Sequence, residues 1–117
     1  MSNVTLYGIK NCDTVRKARR WLDDHNISYD FHDFRADGLT KTRVNQWLGD
    51  IDQEVLVNRR GTTWRKLSDQ QKSVSTKAAI VDLLVEQPAI IKRPVLDNSG
   101  KLHVGFKEAD YQTLFGK

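Results

Sequence analysis

The chain has 117 residues and a formal charge of +4, with 38% hydrophobic and 29% charged residues. That length suits one domain with a sizeable core, and the balance is that of an ordinary soluble globular protein. No apolar run approaches the ~20 residues that span a bilayer, and "MSNVTLYG" has no signal-peptide architecture. The expectation is a cytoplasmic protein with no membrane partner. So mild a positive charge favours anionic ligands without arguing for nucleic acid.

In chain order, "NVTLYG" is a β-branched and aromatic run ending at Gly8, which predicts a strand and a turn. From Thr14 to His25, Val15, Ala18, Trp21 and Leu22 recur at helical spacing among basic residues. "ISYDFHDF" alternates as a second strand, with Ile27, Tyr29, Phe31 and Asp33 on one face. "ADGLTKTRVNQWLGDI" predicts a helix capped by Thr40 and stopped at Gly49. After a less regular middle, "STKAAIVDLLVEQP" predicts a helix with Ser75 as cap, Ala79, Ile80, Leu83 and Leu84 as its apolar face, and Pro88 past its end. "RPVLDNSGKLHVGF" reads as two strands around a turn, and "KEADYQTLFGK" as a last helix.

The order β-α-β, helical middle, α-β-β-α predicts one α/β domain over residues 1–117. Its plan is thioredoxin-like (glutaredoxin-like): a four-stranded mixed sheet flanked by helices, with a helical insertion at about 40–87.

Cys12 is the only cysteine, and it falls between the first strand and the first helix. Free N–H groups and the positive dipole end of a helix stabilise a thiolate. Lys10 and Arg16 offer cationic charge there, and Asn11 and Thr14 offer hydrogen bonds. Free cysteines are also among the most buried residues, so position alone leaves a reactive thiol and an inert core filler both open. A C-x-x-C motif needs a second cysteine at position 15, which is Val15. Any disulfide of Cys12 is therefore intermolecular or mixed, and its resolution needs an external thiol.

Three blocks, "NVTLYGIKNCDTVRKA", "NRRGTTWRKL" and "QPAIIKRPVLDNSGKLHVGF", resemble the ArsC/Spx family of thioredoxin-fold proteins, most closely its YffB-like branch of small ArsC-related proteins. The resemblance runs over almost the whole chain. It implies that Cys12 is the catalytic nucleophile, followed by loop residues Thr14 and Arg16, with glutathione as co-substrate and no bound cofactor. It also implies that Arg93 and Pro94 are the family's Arg-Pro pair, with Pro94 cis and shaping a peptide or glutathione edge near the cysteine. In ArsC-type reductases the cysteine attacks arsenate and glutathione resolves the adduct.

This chain departs from that pattern at three places. Gly8 stands where those enzymes carry a loop histidine. Asn58 and Gly105 stand where two of three oxyanion-holding arginines align, although Arg59 and Arg60 adjoin the first. An oxyanion clamp needs several convergent donors, so arsenate reduction is disfavoured. Val15 likewise removes the C-x-x-C switch of Spx-type regulators.

"RRGTTWRK" mixes four basic residues with Trp64. It reads as a nucleic-acid patch, as a solvated loop anchored by Trp64, or as a source of Arg59 or Arg60 beside the thiol. The resemblance favours the last, and nucleic acid is not expected. His25, His32 and His103 are scattered without metal-ligand spacing, so no metal site is expected, and the helix dipole accounts for His25.

The sequence thus predicts a glutathione-dependent monothiol reductase. Cys12 attacks a disulfide, Lys10 and Asn11 steady the anion, Thr14 and Arg16 complete the loop, and Arg93 with Arg59 or Arg60 holds an anionic substrate. Pro94 shapes the edge, and the partners are glutathione or another external thiol, a glutaredoxin, or a protein disulfide. The alternatives are an arsenate reductase that uses glutathione and glutaredoxin, and a non-catalytic, Spx-like interaction module.

Overall fold

The computed structural model describes residues 3–74 and 76–117. In chain order the elements are β1 (Val4–Gly8), α1 (Asp13–Asp24), β2 (Asp30–Asp33), α2 (Lys41–Asp50), α3 (Gln53–Leu56), α4 (Thr62–Arg65), α5 (Asp69–Lys72), α6 (Lys77–Glu86), β3 (Val95–Asn98), β4 (Lys101–Val104) and α7 (Glu108–Phe115). A short 3-10 turn, Pro88–Ile90, follows α6. Two compact units result: residues 1–37 with 93–117, and residues 38–92.

The first unit carries the sheet, in the order β2-β1-β3-β4. β1 pairs parallel to β2, with Gly8 opposite Asp33, and antiparallel to β3, with Tyr7 opposite Val95. β4 adds to β3 as the hairpin that the "DNSG" turn predicts, with Ser99 and Gly100 both at positive φ. A mixed sheet of this order, with α1 as the crossover between two parallel strands, is the expected thioredoxin-like fold.

Its core joins Val4 and Leu6 of β1, Ala18, Trp21 and Leu22 of α1, Leu96 of β3 and Tyr111 of α7. Fully burying a side chain such as Leu6, Leu22 or Leu96 contributes about 1.5–3 kcal/mol. The Tyr111 ring meets Trp21 and Phe106 edge-on, with centroids 5.5 and 4.7 Å apart. His25 caps α1, and its Nδ1 lies 2.8 Å from the Trp21 carbonyl oxygen.

The predicted second strand begins at Asp30, not Ile27. The chain before it is spent closing α1: Asn26 donates to the Asp23 carbonyl from a left-handed conformation, and Ile27 donates to Leu22. Ile27, Tyr29 and Phe31 still pack against the core.

The second unit is helical. Thr40 accepts the Arg43 N–H and caps α2 as expected. Gly49 does not stop that helix, which continues through Asp50 to a cap at Ile51; an interior glycine weakens a helix without ending it. Ser75 lies outside the described residues, and Thr76 caps α6 by accepting the Ala79 N–H. The buried face of α6 is Ile80, Val81, Leu83 and Leu84; Ala79 is only half-buried. Residues 52–74 form three single-turn helices. An isolated antiparallel bridge joins Val57 to Ile91, flanked by bonds from Asn58 N to Ile90 O and from Lys92 N to Leu56 O, both 2.7 Å. No helix among the described residues is long and apolar enough to cross a membrane.

Candidate active site around Cys12

β1 delivers the chain from the sheet at Gly8, and α1 takes it up at Asp13. The loop between them is Ile9, Lys10, Asn11 and Cys12. Cys12 is the N-cap of α1, with extended backbone (φ −128°, ψ 125°), and its carbonyl accepts the Arg16 N–H at 2.9 Å. Its side chain is half-buried.

Burial alone would push the thiol up. The Val15 backbone N–H, the Arg93 guanidinium with its positive charge, and the Thr14 backbone N–H outweigh that effect, and the thiol lies below its ordinary value. Sγ closes no cap hydrogen bond of the serine or threonine kind. The helix end therefore acts on it through oriented amide dipoles and the arginine.

Arg93 reaches this thiol from the start of β3, and the Arg93–Pro94 peptide is cis, as the resemblance implies. The Pro94 carbonyl accepts the Gly105 N–H at 2.8 Å, which ties the segment before β3 to the residue after β4.

The loop's own side chains act less directly on the sulfur than the sequence suggests. Asn11 offers its Oδ1 to Arg16 Nη2 at 3.3 Å, and Arg16 Nη1 pairs with Asp13 at 3.3 Å. Thr14 contributes its backbone N–H. Lys10 is exposed, and its backbone N–H donates to Asp33 Oδ2 at 3.2 Å. The Val15 amide is one of the helix N-terminal N–H groups that the sequence predicts around the thiol, whereas Asp33, through its carboxylate, was not anticipated. The repeated aspartates of "DFRAD" are a signature of an Asx turn and point to Asp33.

The sequence profile of the ArsC family matches residues 7–114. The chain belongs to the ArsC family. It is 47% identical over 112 residues to an uncharacterised protein of Haemophilus influenzae, covering 96% of this chain and 98% of that one. It is 30% identical over 113 residues to the global transcriptional regulator Spx 2 of Lactococcus lactis, covering 95% and 85%. A solved structure described as YFFB (PA3664) matches with a TM-score of 0.89 at 44% identity, over 94% of this chain and 96% of that one. The solution structure of an arsenate reductase (ArsC) related protein from Brucella melitensis matches with a TM-score of 0.77 at 49% identity, over 100% and 97%.

Each departure from the ArsC-type reductase pattern has a local physical reason. A Cβ on Gly8 would sit 2.8 Å from Val15 Cγ2 and 3.3 Å from Cγ1. Val15 is wholly buried, so the residue that replaces a second cysteine also excludes a histidine from position 8. Gly105 has φ +86°, which a side chain such as arginine adopts only with strain. Asn58 accepts the Arg60 N–H at 3.2 Å through Oδ1 and so shapes its own turn.

Arg59 and Arg60 belong to the second unit. There the Arg59 guanidinium stands over Trp64, 5.6 Å from the ring centroid. Trp64 is half-buried beside Val57, Ile80, Leu83 and Leu84, the anchor expected of it. Arg59 and Arg60 also line a groove of about 600 Å³ with Glu54, Val55, Asn58 and Lys92.

Proposed function

We propose that this ArsC-family protein is a cytoplasmic, glutathione-dependent thiol reductase that works through Cys12 alone. The observation that carries the reading is a single thiol at a helix N-terminus, lowered by the Val15 amide and by Arg93. A thiolate at neutral pH is the attacking species in thiol–disulfide exchange.

The reaction balances without a second cysteine. Cys12 thiolate attacks the glutathione sulfur of a mixed disulfide, forming Cys12–S–S–glutathione and releasing the substrate thiolate, which takes a proton. A second glutathione, as thiolate, attacks the glutathione sulfur of that adduct, releasing oxidised glutathione and restoring Cys12. Two glutathione sulfurs end oxidised and one disulfide is reduced. Arg93 steadies Cys12 as attacker and as leaving group, because the same charge favours the thiolate in both steps. Pro94 shapes the edge on which the substrate lies. Lys10, Asn11, Thr14 and Arg16 build the loop that presents the sulfur.

Arsenate reduction is the second reading, supported by family membership and by a matched structure's description as arsenate reductase related. The steric closure of Gly8, the strain at Gly105 and the engagement of Asn58 weigh against it, because each removes an oxyanion donor or loop group.

Intact mass after incubation with oxidised glutathione tests the proposal, with Cys12→Ser as control. One glutathione added to the parent and none to the variant is the expected result, followed by its removal with reduced glutathione. A parent that gains no adduct returns Cys12 to an inert role. Turnover with arsenate in a glutathione/glutaredoxin-coupled assay would favour the second reading.

A further inference from the structure

The cysteine loop leaves the sheet where the β1–β2 ladder ends, at Gly8 opposite Asp33. One further backbone rung follows, from Phe34 N to Gly8 O at 2.9 Å. Beyond it the chain after β2 turns away, and the next rung is supplied by a side chain: Asp33 Oδ2 accepts the Lys10 N–H at 3.2 Å. The other carboxylate oxygen accepts Arg35 N at 2.7 Å and Ala36 N at 3.2 Å. The Asp33 carbonyl accepts Asp37 N at 2.9 Å, and the Asp33 N–H donates to Asp37 Oδ2 at 3.0 Å. One carboxylate thus fastens a tight turn with one oxygen and the cysteine loop with the other.

We infer that Asp33 is a positioning residue for Cys12, holding Lys10 so that the sulfur two residues later is presented to the Thr14 and Val15 amides. The inference rests on the reading of Cys12 as a thiolate nucleophile. Amide dipoles stabilise an anion only over a short range and in a favourable direction. Ile9 is buried and Cys12 is held as the cap of α1, and between them the Lys10 bond fixes the midpoint of the loop, which sets the angle at which the sulfur meets that axis. Two of the four orphan N–H groups of α1 then keep their dipoles directed at Sγ.

Charge and positioning make opposite predictions, which allows a clean test. Asp33 is an anion whose N–H donates to the Asp37 carboxylate and whose carboxyl feels the Arg35 charge, while Arg93 is the cation on the thiol and Asp13 and Arg16 pair with each other. Removing an anion by itself lowers a nearby thiol's pKa. Losing the positioning raises it.

The experiment is the pH profile of Cys12 alkylation by iodoacetamide in the parent, Asp33→Ala, Asp33→Asn and Asp37→Ala, with amide exchange at Lys10 read by NMR. Asp33→Asn keeps the shape and one accepting oxygen for the turn, so it serves if the alanine variant does not fold. Expected is an upward shift of the profile and a rate at neutral pH lower by about tenfold for both Asp33 variants. Lys10 exchange should quicken in both. Asp37→Ala, which leaves the Lys10 bond in place, should follow the parent. A profile that is unchanged or moved downward in folded Asp33→Asn overturns the inference while leaving the thiolate reading intact. A parent profile already at the free-thiol value overturns both.

Discussion

The two units satisfy their polar groups in different ways. In residues 38–92 the caps and turns are closed by local side-chain-to-backbone bonds: Thr40 to Arg43, Asp52 to Glu54, Asn58 to Arg60, Ser68 to Gln71 and Thr76 to Ala79. In the sheet unit one such bond, Lys10 to Asp33, spans 23 residues. Arg93 reaches back across the sequence to Cys12, and Gly105 to Pro94. Local caps stabilise a segment wherever it goes. Long-range bonds fix the position of one segment against another, and closing them costs more chain entropy. The helical unit makes its own long ties backbone to backbone, Asn58 N to Ile90 O and Lys92 N to Leu56 O, whereas at the cysteine loop a side chain supplies the long tie, where chemistry needs a defined direction.

That contrast can be broken most forcefully at Gly8. Gly8→Ala should lose about 1–3 kcal/mol in urea unfolding, because its Cβ meets a buried valine at 2.8 Å. Gly8→Ala combined with Val15→Ala should cost less than the sum of the two single changes. Simple additivity would show that the two residues do not share the space. In the helical unit, Gly49→Ala has no atom within 4 Å to meet and sits inside α2. It should therefore stabilise, by about 0.5–1 kcal/mol.

Arg93→Ala comes next. Without that guanidinium the thiol rises toward its ordinary value, and alkylation at neutral pH should slow by about tenfold. The Val15 and Thr14 amides remain, so the thiol should not become wholly ordinary. A rate equal to the parent's would assign the lowered thiol to the helix end alone.

Thr40→Ala tests the local side. Its Oγ1 accepts the Arg43 N–H, 3.1 Å away, so the change should cost about 1 kcal/mol. It should also leave Cys12 alkylation as in the parent, since a local cap carries no positional information to the cysteine loop. A slowed alkylation would mean that the caps of residues 38–92 set the thiol as well.

Much of this was legible beforehand, for reasons that differ by residue. Four strands, the flanking helices, the Thr40 cap and the Ser99–Gly100 hairpin follow from periodicity and turn chemistry, which act over a few neighbours. Cys12 was legible as a strand–helix junction. Arg93 and Pro94 were legible only through family resemblance, since nothing local places them 81 and 82 residues further along the chain against a thiol. The Val15 amide was legible only as one of the free N–H groups of a helix N-terminus, because side-chain identity does not say which of them faces the sulfur. The second strand was overextended because the cap of α1 competes for Asn26 and Ile27.

The smallest effect is a pH dependence centred on Asp33. Burial pulls its carboxyl up, but the N–H groups of Arg35, Ala36 and Lys10 and the charge of Arg35 outweigh it and hold it below the usual aspartate value. Because the folded value lies below the unfolded one, the contribution is complete above the ordinary aspartate range, at about pH 4. It is lost as pH falls through the lowered folded value. Urea unfolding of the parent against Asp33→Asn should therefore show a gap near neutrality that narrows toward pH 3. The carboxyl is partly exposed, so solvent screening keeps the gap below that of Thr40→Ala. A gap that widened in acid would mean that the carboxylate is not the form bound by the three amides.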